Sequence, residues 1–260
     1  MSAAPQIRRA RLLEYAPWVL RDYFMNHGLS TALVVLLIGF LSVMSQMSVM
    51  SMMAGAAAAP VKLGDMPLDL ARRALHTIIP ALVFLGTVFA TNGIVANDRK
   101  MGYYRFLFAK PVSPPLYYAM TFGLYGLGLI VISALLLIVW SFAVRPMFPA
   151  ELFIIVALMY VAYGGIGFLL SAAWRFDWLS LVTALFVANV AWTVWEHATG
   201  VRHWLPYLLP PVHKADDVYA LILREQHAVP WTSIAWLAGY GLICFGLGVC
   251  VIRRRPLGTS

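Results

Sequence analysis

Charge is what this chain has least of. Only 12% of its 260 residues are Asp, Glu, Lys or Arg, about half the share of a soluble domain. Hydrophobic residues make up 62%, and mean hydropathy is +0.79. A single core in a chain of this size still needs a polar surface, so the deficit excludes a soluble globular class. It points to an all-α integral membrane protein. Cysteine is also scarce. Cys244 and Cys250 are the two present; at six residues apart on one helix they face different sides and cannot bridge. Both read as small buried apolar residues.

Three further absences narrow the function. There is no Gly-x-x-x-x-Gly-Lys-Ser/Thr run, so the chain holds no phosphate-cradling loop of that type. The apolar stretches carry almost no ionisable group, and Gln46 and Asn189 are their main polar side chains. That argues against a proton-coupled carrier, which needs acids or bases at depth, and against an intramembrane protease. A secretory signal is rejected: Ala54 to Ala59 resembles a cleavage site, but the preceding apolar run is too long for a signal peptide.

What is present is a series of long charge-free intervals. They predict spans at about 29–52, 75–96, 117–140, 152–172, 178–195 and 231–252, each near the 20 residues that cross the hydrocarbon. Ahead of them, Pro17 suits a helix first turn and Gly28 a helix end. The mixture of Trp18, Arg21, Asp22 and Phe24 predicts an interfacial helix at about 8–28. The whole, 1–260, reads as one membrane domain. Glycines at 123, 126, 128, 164, 165, 167, 239, 241, 246 and 248 predict close helix packing. The segment 196–230, with Asp216 and Asp217 ahead of apolar positions, predicts short helices.

The net charge of +8 describes orientation rather than a nucleic-acid partner. With the N-terminus inside, the inner segments hold 12 Lys and Arg and the outer segments 7. That bias predicts cytoplasmic N- and C-termini in the cell membrane. Arg253, Arg254 and Arg255 abut the last span; Arg72 and Arg73 lie on the minority side. Trp140, Trp192, Trp195 and Trp231 fall at predicted outer ends, where tryptophan favours the interface.

Two groups raise metal or cofactor chemistry. Met44, Met47, Met50, Met52 and Met53 are interleaved with serines at the end of the first span. Thioethers bind Cu(I), but steps of three drift round a helix, so one site cannot use them all. Adaptable lining of a substrate path by Met44, Gln46, Met47 and Asn189 is the preferred reading. His76, His197, His203, His213 and His227 match no zinc spacing; a His76–His197 pair ligating haem in a membrane anchor subunit is the alternative.

The most basic connection between the predicted spans is 97–114. It carries Asp98, Arg99, Lys100, Arg105 and Lys110 beside Tyr103, Tyr104, Phe106, Leu107 and Phe108, and closes on Pro111, Ser113 and Pro114. Bulky aromatics alternating with charges suit a short amphipathic helix held by another protein. A plain basic loop obeying the positive-inside rule is the simpler reading.

The run Asp98-Arg99-Lys100-Met101-Gly102, then Arg105, Leu107 and Ala109-Lys110-Pro111-Val112-Ser113, resembles the loop after the second span in type-2 ABC transporter permeases. Asp98 stands where that family more often has Glu, and Pro114 where a basic residue is common. The order of an N-terminal interfacial helix, six spans, a short turn between spans four and five and a helical outer segment also resembles the family plan, as does the stretch Tyr207 to His213. The resemblance implies the membrane subunit of an ATP-driven exporter. It implies a dimer with a second permease copy or homologue, and a separate ABC ATPase subunit that carries ATP and Mg, so that this chain is not itself the enzyme and binds no cofactor. Asp98, Arg99, Lys100, Gly102, Tyr103, Tyr104, Arg105, Phe106, Phe108 and Pro111 would form the cytoplasmic coupling helix. A hydrophobic or amphipathic substrate suits the apolar spans. The other readings are an anchor subunit of a redox or sensory complex, and a secondary carrier.

Overall fold

The computed structural model describes residues 14–54, 67–91, 94–95, 98, 113–144, 150–173, 178–195, 207–223 and 228–254. Their regular structure is entirely helical. In chain order the helices are α1 (Ala16–Tyr23), α2 (Leu29–Ala54), α3 (Leu68–Thr91), α4 (Pro114–Ala143), α5 (Glu151–Ala173), α6 (Trp178–Trp195), α7 (His213–Tyr219) and α8 (Trp231–Arg254).

Five helical stretches are long and apolar enough to cross a membrane: Ala16–Val49, Leu68–Thr91, Pro114–Ala143, Glu151–Ala173 and Trp231–Arg254. The fifth expected span, α6, is apolar but shorter. α2, α4, α5 and α8 extend a little past the predicted spans, whereas α3 is displaced, beginning at Leu68 rather than near 75 and ending at Thr91 rather than 96. Charge-free intervals mark the hydrocarbon layer, whereas backbone hydrogen bonding continues into the interface. Asp69 in the first turn of α3 also suits its positive end.

The expected break at Gly28 does not occur. Pro17 opens α1 as expected, but α1 runs into α2 through a single π-helical turn, Phe24–Gly28. Positions 8–13 of the expected interfacial helix lie outside the described residues. Gly28 is buried, and a Cβ there would sit 3.1 Å from Ile132 Cδ1 on α4. The glycine serves close approach to a neighbouring helix, not termination. α1 does have the expected two-faced character, burying Val19 and Tyr23 and exposing Trp18.

α5 is the central helix: 67% of its most apolar 18-residue stretch is buried, against 22% for that of α8. Its most extensive packing is against α8. Backbone meets backbone there. A Cβ on Gly165 would collide with the Gly241 carbonyl, and one on Gly241 would lie 2.7 Å from Ala162 Cα. One helical turn or two further on, Gly248 faces Phe168 and Leu169, so α5 and α8 run parallel. The amide of Val95, just beyond α3, donates to Ser171 Oγ near the α5 C-terminus at 3.2 Å. Tyr15 meets Tyr117 at the start of α4, with ring centroids 6.2 Å apart. The start of α1, the end of α3, the start of α4 and the ends of α5 and α8 therefore share one end of the bundle. The alternating order expected from sequence has this arrangement.

The opposite end is capped by α7 and its 3₁₀ extension, Ala220–Ile222, which bury Ala215, Val218, Tyr219 and Ile222. His213 stacks on Trp192 of α6 (centroids 3.4 Å apart, 2° between planes). Ser233 Oγ of α8 donates to Asp217 Oδ2 at 2.7 Å. The expected short outer helix is thus locked to both α6 and α8.

Three readings need correction. Trp140 lies in the last turn of α4, at the expected end of the span, but it faces inward onto the space between α2, α3 and α4 and is buried (9% exposed). Of the two cysteines, Cys244 is buried but Cys250 is exposed; six residues turn the second thiol to the outer side of α8. A Cβ added at Gly123, Gly239 or Gly246 would meet no atom within 4 Å, so these three do not mediate the packing expected of them.

Substituting Gly165 or Gly241 by Val should lower the thermal midpoint of the detergent-solubilised protein by the equivalent of at least about 1–3 kcal/mol, since backbone cannot move aside as a side-chain tip can. Gly246→Ala should leave the midpoint within about 0.5 kcal/mol equivalent of wild type. Differential scanning fluorimetry of the three variants checks this.

Candidate functional site

Two features stand out: a polar aromatic cluster at the end of the bundle shared by the chain's first helix and the 92–113 connection, and an apolar cavity toward the other end.

The cluster is assembled by α1, α4 and Asp98. Ser113 starts α4 in an extended conformation, and its carbonyl accepts from the amides of Leu116 (3.1 Å) and Tyr117 (3.0 Å). Pro114 and Pro115 occupy the first turn, where a missing N–H leaves nothing unpaired. That start presents Tyr117, Tyr118 and, two turns on, Tyr125. Tyr118 is fully buried, and its hydroxyl donates to Asp98 Oδ2 at 3.1 Å. Tyr125 donates to Asp22 Oδ2 at 3.5 Å, and Asn26 Nδ2 donates to Asp22 Oδ1 at 2.6 Å. Tyr23 packs on Tyr125 (centroids 5.0 Å apart) and fills the space left by Gly128.

Two carboxylates thus approach the same tyrosine layer from different segments. Burial pushes the Asp98 carboxyl up to about 6; the Tyr118 hydrogen bond pulls the other way and the negative charge of Asp22 adds to the rise. Asp98 sits beyond the end of α3, outside the spanning helices. It faces inward onto α4, not outward as part of an exposed gripping surface. The other residues expected to couple, Arg99, Lys100, Gly102, Tyr103, Tyr104, Arg105, Phe106, Phe108 and Pro111, lie outside the described residues.

The cavity, of about 230 Å³, lies between α2, α3 and α4. Val35, Gly39 and Met44 line one side, Leu75 and Leu82 another, and Ser133 and Trp140 a third. Ser133 spends its hydroxyl on the Leu129 carbonyl at 2.8 Å, so the wall is almost wholly carbon. Of the expected path residues, Met44 lines the cavity. Met47 packs half-buried against the core, and Gln46 is half-buried on the same helix. Asn189 is on the exposed face of α6, which contributes nothing to the cavity. Ser48 and Ser51 bond back to the carbonyls of Met44 (2.9 Å) and Ser48 (2.8 Å), so the Ser-Met alternation builds no polar channel. Among the described residues no group of three His, Cys, Asp or Glu could hold a metal ion; His197 and His203 lie outside them.

Sequence reasoning missed the tyrosine layer. Its signal was present: Tyr117, Tyr118 and Tyr125 recur at seven and eight residues, one face of a helix, and Asp22 is an acid four residues before Asn26, the amide that donates to it. Tertiary pairing between Asp22 and Tyr125, 103 residues apart, was needed to join them.

Because the folded state favours protonated Asp98, stability should fall as pH rises from about 4 through about 6. Asp98→Asn should remove that fall and stabilise the protein above pH 6. Tyr118→Phe should move the upper inflection to higher pH, and Asp22→Asn to lower pH. Thermal midpoints measured from pH 4 to pH 8 test all three.

No protein-family model, no curated protein and no solved structure matches this chain, so any assignment of function rests on its own residues and fold.

Proposed function

We propose that this chain is the permease subunit of an ATP-driven ABC exporter, embedded in the cell membrane with both termini cytoplasmic. The observation that carries the reading is the run from Asp98 to Ser113, with its acid, basic residues, Gly102, aromatic pairs and Pro-Val-Ser close, between the second and third long apolar stretches. Supporting it is the end of the bundle on which that run opens. Tyr15, Asp98, Tyr118, Ala173 and Arg254 all lie toward that end, which is also the end favoured by the Lys and Arg bias. In this reading α6 is the fifth of six crossings, α1 lies at the interface, and two such subunits pair.

The separate ATPase subunits hold ATP and Mg and grip the Arg99–Lys110 segment, whose aromatics anchor and whose charges orient. Nucleotide-driven closure moves that segment. The residue before it, Asp98, is hydrogen-bonded to α4 through Tyr118, and α4 packs against α5 and α1. A displacement of the loop is thereby passed to the spans without crossing a flexible joint at Asp98. A hydrophobic or amphipathic substrate suits walls that carry no charge at depth.

Mild-detergent purification of the tagged chain should bring down a stoichiometric ATPase, lost when Tyr103 to Phe108 is scrambled. A preparation with haem or metal absorbance and no ATPase would replace this reading with the anchor-subunit one. Gly102→Glu with Arg105→Glu should leave insertion intact and uncouple ATP hydrolysis from transport by an order of magnitude or more (roughly 10-fold per 1.4 kcal/mol of coupling lost). An impermeant thiol reagent should label Asp65→Cys from outside intact cells and not Arg99→Cys; the opposite pattern would reverse the orientation.

A further inference from the structure

The cavity between α2, α3 and α4 has a length, a depth and one polar feature that together identify an occupant. Its α4 wall runs from Ser133 to Val144, roughly 16 Å along a helix. That is about half the 30 Å hydrocarbon thickness, the reach of one leaflet. It begins at the end of α4, where Val144 closes the helix onto the Trp140 carbonyl at 2.9 Å, and extends inward to mid-helix. Its lips include Leu36, Phe40 and Val139, all exposed on the outer surface of the helices, so a chain can enter sideways from lipid.

The polar feature is Trp140. It lines the cavity, is only 9% exposed, and its indole N–H has no hydrogen-bond partner among the described residues. A buried donor left unpaired is costly and uncommon. Trp140 lies one turn from the α4 terminus, the depth at which tryptophan meets the interfacial region of a bilayer and at which lipid ester groups lie.

We propose that this cavity is a resident lipid site: it takes one acyl chain of a bilayer phospholipid, pointing inward along α4, with the chain's ester carbonyl accepting from the Trp140 indole N–H. The inference is independent of the transport reading and requires only that the helices be embedded in a bilayer. Gly39 keeps the site open. A Cβ there would meet nothing closer than Ile78 Cδ1 at 3.5 Å, ordinary contact, so a larger side chain would grow into the cavity and not into the backbone.

The test uses the full chain in phosphatidylcholine nanodiscs that contain a fraction of lipid with a mid-chain diazirine, with labelled residues mapped by mass spectrometry after irradiation. Label should concentrate on cavity residues such as Gly39, Met44 and Leu136 over the exposed ridge of Leu33, Leu37 and Phe142. Gly39→Leu should cut cavity labelling roughly tenfold by filling the space. Ala143→Leu, on a different helix, should do the same, so a folding defect in one variant does not decide the outcome. Trp140→Phe should cut it about fivefold, the worth of one hydrogen bond, and an ether-linked probe should be insensitive to that change. Even labelling of cavity and ridge, unaltered by either filling variant, would overturn the site. Equal sensitivity of ester and ether probes to Trp140→Phe would overturn the carbonyl contact.

Discussion

The constraint on which the rest of the structure depends is the backbone contact between α5 and α8 at Gly165 and Gly241. In a bilayer the tails are as apolar as leucine, so helices gain little by burying apolar side chains against one another. Close packing of backbones is what remains. Two glycines that face each other let two parallel helices approach until carbonyl and Cα are in contact, and every other element is placed from there. α3 and α4 pack on the free sides of α5, α6 follows from its end, and α7 bridges α6 to α8.

A second tier of glycines works differently. Gly126 and Gly128 on α4 receive the rings of Tyr160 and Tyr23. Each ring fills the place of the missing side chain, and Tyr160 also donates its hydroxyl to the Phe122 carbonyl at 2.7 Å. These contacts draw α4 toward α5 on one side and toward α1 on the other. As a result α1, α4 and Asp98 form one tyrosine-lined unit at a single end of the bundle, while toward the other end α2, α3 and α4 leave the apolar cavity between them.

One end of the bundle carries a layer joined by directional hydrogen bonds, Tyr118 to Asp98 and, at longer range, Tyr125 to Asp22. The far end is joined by stacking and a short carboxylate hydrogen bond through α7. Between them the walls are carbon, apt for an apolar occupant and inhospitable to an ion.

Membrane class, the helical content and most helix positions were legible in the sequence because they follow from one-dimensional properties: charge-free length, and prolines such as Pro17 and Pro114 that suit a helix first turn. The same properties did not show which way Gly28, Trp140 and Cys250 face, since a glycine, a tryptophan or a thiol reads alike whether it faces lipid, an interface or another helix. Which glycines carry contacts, that Tyr118 reaches Asp98, and that α2, α3 and α4 part to leave a cavity beside the buried Trp140 indole were decided by tertiary structure alone. Those facts depend on which helix faces mate, and in a chain that is apolar on nearly every face, periodicity does not distinguish one face from another.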